Sequence, residues 1–284
     1  MSEAPWHSRA RRIFVVPAFA WLAATVALPL ALVAAISLGE ATQGAPPFDW
    51  SFTFSNYAIV LGDALYVEAF AASVRIAGTS TAICLLIGYP MALAIARARP
   101  ERRLWLLFLV VLPCWTSFLI RVYAWMGILR PTGYINSALQ ALGLVEEPLG
   151  LIANAFAVHL GIVYAYLPFM VLPLYATIER IDAALVEAAH DLGAPPARAF
   201  WRVTFPLSLP GAVAGSLLVF IPASGEFVIP DLLGGPDTQM IGRILWLEFF
   251  QNRDWPVACA IATALAALLA GPILLFDRYR ARGT

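Results

Sequence analysis

A chain of 284 residues with 61% hydrophobic residues, 13% charged residues and no net charge lies outside the range of soluble domains and gives no pointer to nucleic acid. All 18 basic residues are arginine. Without a lysine there is no Walker-type phosphate loop and no Schiff-base nucleophile, so any ATP that drives this chain is bound by another subunit.

Six apolar runs stand out, at about 13–38, 69–96, 104–129, 150–178, 207–230 and 255–276. Each meets the ~20 residues that a helix needs to cross ~30 Å of hydrocarbon. Lipid cannot satisfy free backbone groups and no barrel-like alternation is present, so the spans are expected to be helices. The reading is an all-α polytopic membrane protein, a single transmembrane domain over 1–284, with a polar connection at 179–206.

The first run follows Arg9, Arg11 and Arg12 and imitates a signal peptide. It continues to Leu38, too long for a cleaved segment, and reads as a retained first helix. Prolines fall inside several runs: Pro17 and Pro29, Pro113, Pro168 and Pro173, and Pro222. Each removes a backbone donor and bends its helix.

Orientation follows from arginine. The N-terminus, the second connection (Arg97, Arg99, Arg102, Arg103), the fourth (Arg180, Arg198, Arg202) and the tail (Arg278, Arg280, Arg282) lie on one side; the opposite connections hold only Arg130, Arg243 and Arg253. Both termini are therefore expected in the cytoplasm. The outer connections are acidic and aromatic. The third is expected to form a short helix near Asn136–Leu142, and the fifth a mixed helix over about Thr238–Gln251. Cys84, Cys114 and Cys259 lie singly in apolar runs and read as small buried hydrophobes.

The connection between the fourth and fifth spans is the chain's one long polar helix-forming stretch. Over 181–192, Ile181, Leu185, Ala188, Ala189 and Leu192 share one face, with Asp182, Glu187, His190 and Asp191 around the remainder. Gly193 stands where a helix stops, Pro195-Pro196 suits the first turn of another, and Pro206 and Pro210 mark re-entry into the membrane. Two readings are open: a helix that lies on lipid headgroups, or an elbow that docks in a partner. The acidic groups fit the second better.

Glu187-Ala-Ala-x-x-x-Gly193, followed by Leu-Ser-Leu-Pro-Gly at 207–211, resembles the cytoplasmic loop signature of binding-protein-dependent ABC importer permeases. The resemblance implies a type I ABC importer transmembrane domain of six helices. It also implies a coupling loop that docks on the ATPase through Glu187, Ala188, Ala189 and Gly193, extended here to Pro195, Arg198 and Phe200. Leu112-Pro-Cys-Trp-Thr-Ser-Phe-Leu-Ile-Arg-Val-Tyr-Ala-Trp125, Leu129-Arg-Pro-Thr-Gly133, Ile229-Pro-Asp-Leu-Leu-Gly-Gly-Pro236, Ile241-Gly-Arg and Asn252-Arg-Asp-Trp-Pro256 look like spermidine/putrescine permeases, the putrescine type most of all. Implied with it are import from periplasm to cytoplasm across the bacterial inner membrane, a second permease, two ATPase copies carrying ATP and Mg, and a periplasmic substrate-binding protein. This chain is expected to bind no cofactor or metal and to be no enzyme.

A polyamine path should offer carboxylates and aromatic faces. Glu226, inside the fifth run, is the first candidate, followed by Asp231, Trp246, Glu248, Asp254 and Trp255. Against this, Glu226 reads equally as an internal ion-pair partner of Arg75 or Arg121, and the tryptophans as interfacial anchors. Three other functions compete: an importer for another small solute, an ion-coupled transporter, for which repeated halves are lacking, and an intramembrane serine protease built on Ser224 and His159.

Overall fold

The computed structural model describes residues 6–282, with side chains described over 15–274. Six arginines that carry much of the expected orientation, Arg9, Arg11, Arg12, Arg278, Arg280 and Arg282, have side chains outside the described residues. In chain order the elements are α1 (Trp6–Ile36), strands β1 (Glu40–Ala41) and β2 (Phe48–Asp49), α2 (Ser55–Gly62), α3 (Ala64–Arg97), α4 (Pro100–Val111), α5 (Phe118–Leu129) and α6 (Tyr134–Ala141). There follow α7 (Ala155–Ile178), α8 (Ala183–Asp191), α9 (Pro196–Ala199), α10 (Phe205–Ser224), α11 (Val228–Leu233), α12 (Ile241–Leu247) and α13 (Trp255–Arg282).

Among the described residues, five helices are long and apolar enough to cross a bilayer: Val15–Ile36, Ala64–Arg97, Ala155–Ile178, Pro196–Ser224 and Trp255–Leu274. A sixth crossing exists if a bent pair counts as one span. That pair is the expected third span, and it is not one rod. Pro113 falls in a 3₁₀ turn, Leu112–Trp115, and Thr116 and Ser117 then adopt extended backbone, so the chain resumes as α5 at an angle of 87°. Proline supplies no donor to the ladder, and the Thr116 hydroxyl takes the Pro113 carbonyl at 2.8 Å.

The expected fifth span, 207–230, also differs at both ends. It begins earlier, because the helix from Pro196 runs on through a π turn, Phe200–Thr204, into α10. The Phe205 N–H reaches back five residues to the Phe200 carbonyl, and this wide turn carries the chain past Pro206 without a break. It ends earlier, at Ser224, where Gly225 and Glu226 interrupt the helix before α11. The helix expected over 238–251 is α12 plus a second π turn, Glu248–Asn252, closed by Arg253 in the left-handed region (φ 56°). The short helix of the third connection is α6.

Two compact units emerge. One comprises Met1–Ala64 and Leu245–Ala267. In it β1 and β2 pair antiparallel, Glu40 opposite Asp49. The buried Asn56 amide ties the end of α1 down by donating to the Ser37 and Gly39 carbonyls, both at 2.8 Å. Ile36, Phe48 and Cys259 form its small core, with Val33 and Trp255 against them.

The other unit comprises Leu65–Ile244 and Leu268–Thr284. Its centre is the α7–α10 pair. Gly211 lets these helices close on each other, since a Cβ there would run into the Thr177 side chain and the Pro173 carbonyl. Met170, Val171 and Leu174 of α7 pack with Val219 of α10 and Cys84 of α3. A second cluster joins Val122 and Leu129 of α5, Val158 and Ile162 of α7, and Ile229 and Leu233 of α11. α5, α7, α10 and α11 thus share one core.

Candidate functional site

The polar elbow folds as its local signals dictate. Asp182 caps α8 by accepting the Ala184 N–H at 3.0 Å. At the other end Gly193 takes φ +77°; its N–H donates to the His190 carbonyl at 2.8 Å and the Ala194 N–H to the Ala189 carbonyl at 3.0 Å. Glycine enters this left-handed cap without the cost a Cβ would add. The His190 ring bonds the Ala194 carbonyl at 2.9 Å across the same turn. Pro195 then caps α9, with Pro196 in its first turn.

The elbow's apolar face is not spent on the protein's own core. Leu185 is 49% exposed, Leu192 88% exposed, and Ala188 and Trp201 are exposed with them. Val186 and Ala189 are half-buried on the inner side. Of the residues expected to dock, Glu187, Ala188, Gly193, Pro195 and Arg198 are exposed, Ala189 and Phe200 half-buried. Phe200 packs edge-on against Tyr89 at 5.6 Å and against Trp201 at 5.1 Å. It therefore anchors the elbow to α3 rather than facing outward.

Behind α8 lies a cleft of about 400 Å³ whose walls include Arg97, Arg103, Glu179, Glu187 and Thr204. Arg103 pairs with Glu179 at 3.2 Å and donates to the Ala98 carbonyl at 2.9 Å, tying the start of α4 to the end of α7. Glu187 lines this cleft together with Arg97 and Arg103.

Glu226, expected inside the fifth span, lies just past its end in the α10–α11 break and is 7% exposed. Its carboxylate holds the α10–α11 break together. One oxygen, Oε1, accepts the N–H groups of Phe227 and Val228 at 3.2 and 3.0 Å, while Oε2 accepts the Tyr166 hydroxyl at 2.6 Å. Buried charge is tolerated only with such partners. The expected ion pairing with Arg75 or Arg121 is not formed here: among the described residues the ion pairs are Arg103–Glu179 and Arg243–Asp231. Phe118 and Val122, which stand on either side of Arg121 in α5, pack in the same core as Tyr166.

The other candidates for the path are placed as follows. Asp231 is exposed and bonded to Arg243 at 2.9 Å, so its charge is already matched. Trp246, Glu248, Asp254 and Trp255 belong to the other unit, grouped around the π turn. There the buried Glu248 accepts the Asn252 amide at 2.8 Å. Asp254 caps α13 through the Val257 N–H at 3.0 Å, and Trp255 stacks on Phe249 at 4.9 Å. Trp246 packs on Phe250 at 5.5 Å.

Ser224 and His159 form no dyad. The serine hydroxyl donates to the Phe220 carbonyl at 2.7 Å, and the His159 ring bonds Ser80 at 2.8 Å. Tyr166 is the residue that sequence reasoning passed over. A tyrosine inside an apolar run must find a partner for its hydroxyl, and that requirement was the available signal.

Comparison with known proteins agrees with this architecture. Residues 13–280 match the family described as binding-protein-dependent transport system inner membrane component. The spermidine/putrescine transport system permease protein PotB of Haemophilus influenzae is 40% identical over 275 residues, 97% of this chain and 95% of that protein. PotB of Escherichia coli is 41% identical over 227 residues, 80% and 82% of the two chains. The molybdenum transport system permease protein ModB of Mycobacterium bovis is 32% identical over 72% of this chain and 75% of its own. Among solved structures, a bacterial ABC transporter that imports the acidic polysaccharide alginate superposes with a TM-score of 0.70 at 19% identity, over 99% of both chains. The chain belongs to the binding-protein-dependent transport system inner membrane components, the permease subunits of ABC importers.

Proposed function

We propose that this chain is the membrane-spanning permease subunit of an ATP-driven polyamine importer that moves putrescine or spermidine from periplasm to cytoplasm by alternating access. The observation that carries the substrate class is 40% identity to a spermidine/putrescine permease over 97% of the chain. A buried carboxylate at the end of a span, Glu226, suits an ammonium cargo. In this reading Glu226 lies on the substrate path with Asp231 at its outer side, and the whole chain works as one permease domain with both termini in the cytoplasm.

The elbow is the coupling loop, and its partner is one of two ATPase copies that carry ATP and Mg. Exposed Leu185, Ala188 and Leu192, flanked by Glu187 and Arg198, are the surface a groove in that partner would cover. A second permease and a periplasmic binding protein complete the assembly. ATP binding would draw the elbows together and rock the spans between inward-open and outward-open states.

The test is uptake of labelled amines and amino acids by cells expressing the complete transporter. Energy-dependent accumulation of putrescine or spermidine, competed by the other amine, is expected. Failure to take up any polyamine alongside uptake of another solute would leave the importer and remove the substrate. The 32% identity to a molybdenum transport system permease marks the rival reading, an importer for another small solute.

A further inference from the structure

Arg121 is the one arginine among the described residues with buried guanidinium donors left without an acceptor. Its Nε and Nη1 are both shielded from solvent and make no hydrogen bond. The Phe118 ring, 5.8 Å from Cζ, offers its face but no lone pair. A buried cation in hydrocarbon surroundings is stable only when something accepts its donors. In the state described here, these two donors have no acceptor among the described residues.

A candidate acceptor lies on the neighbouring elements: Glu226, at the α10–α11 break, accepts the Tyr166 hydroxyl through Oε2. Phe118, Val122, Tyr166, Phe220 and Ile229 pack in the one core that joins these helices. Both charges also sit beside helix interruptions. Arg121 follows the extended Thr116–Ser117 joint by one turn, and Glu226 is itself the joint between Ser224 and Val228. Such joints absorb backbone rotation while packed helices stay rigid. Glu226 holds Tyr166 through Oε2 alone, and its Oε1 is anchored to two backbone N–H groups. One oxygen can change partner without freeing the loop.

We infer that Glu226 exchanges partners during the transport cycle, accepting from Tyr166 in the state described here and from Arg121 in the alternate state. Arg121 is thus a positioning residue for transport. It gives the buried carboxylate a cationic partner in the alternate state, whatever the solute. The inference rests on the importer reading, though not on which solute is carried.

The experiment uses the complete transporter reconstituted with this chain as wild type, R121M, E226Q and the double variant. It measures solute uptake and the ratio of binding-protein-stimulated to basal ATP hydrolysis. Each single variant is expected to assemble and to lose tenfold or more of that ratio, and the double variant to lose no more than the worse single one, because one exchange is removed in all three. Losses that multiply, or an R121M complex with the wild-type ratio, overturn the exchange. A residue that only holds the bundle together would lower basal and stimulated hydrolysis alike and leave the ratio unmoved. Should R121M fail to assemble, R121K, which keeps the cation, decides: a ratio within threefold of wild type supports the exchange, and an assembled R121K complex without stimulation overturns it. The hydrolysis ratio is independent of solute identity, so a failed amine panel removes the substrate assignment while the cycle still judges the exchange.

Discussion

On α8, Leu185 and Leu192 are left 49% and 88% uncovered in a helix that carries Asp182, Glu187, His190 and Asp191; at the end of α10, Glu226 is 7% exposed among apolar helices. The two regions depart from ordinary burial in opposite directions. Single exposed leucines are common, but two on one face of a short capped helix form an apolar surface that the chain's own core leaves uncovered. A buried carboxylate is costly, and here three donors from within the chain offset the cost. In the proposed assembly the elbow is completed by another protein. The Glu226 joint finds its donors within the chain, whereas two buried donors of Arg121 have no acceptor among the described residues.

That contrast predicts opposite failures. Replacing Leu185 and Leu192 together with aspartate should have the largest effect. A buried interface anchor contributes about 2–4 kcal/mol, so losing both should abolish co-purification of the ATPase from detergent-solubilised membranes. The chain itself should still insert at wild-type level, because neither side chain belongs to its core. If the ATPase remained bound at wild-type level, the docking surface would lie elsewhere. Tyr166→Phe should do the reverse. The complex should assemble with its ATPase, while uptake falls by about tenfold, the order expected when one hydrogen bond to a charged group, worth about 1.5–3 kcal/mol, is lost. Uptake equal to wild type would show that the Tyr166–Glu226 bond has no part in transport.

The elbow was legible in the sequence because its signals are local. A glycine at 193 and a proline pair at 195–196 each act on their own neighbours, and the helix expected over 181–192 formed at Ala183–Asp191, where the structure adds Asp182 as its cap. The breaks were harder to read. Pro113 sits in an unbroken apolar run, and proline in a membrane helix bends or breaks it according to what its neighbours can satisfy; here the run split, and the Thr116 hydroxyl bonds the Pro113 carbonyl in the turn between the two halves. The π turn at Phe200–Thr204 likewise depends on Phe200 docking against Tyr89, a contact between residues more than a hundred positions apart. For the same reason the sequence pointed to Glu226 but not to Tyr166: the carboxylate is conspicuous by its place, whereas its donor comes from another helix.

Asp254 sharpens the comparison from the weak side, since it was a candidate for the substrate path on charge alone. Its side chain accepts the Val257 N–H at 3.0 Å and so caps α13, a role that needs an oxygen rather than a charge. Asparagine caps about as well as aspartate and alanine does not. Asp254→Asn should therefore leave thermal stability and uptake within a factor of two of wild type, while Asp254→Ala should cost about 1 kcal/mol, visible as a lower melting temperature in detergent with uptake nearly retained below it. If Asp254→Asn instead lost uptake at unchanged melting temperature, the charge itself would be required. Asp254 would then join Glu226 as a carboxylate whose position in the chain, rather than its local hydrogen bond, explains why it is acidic.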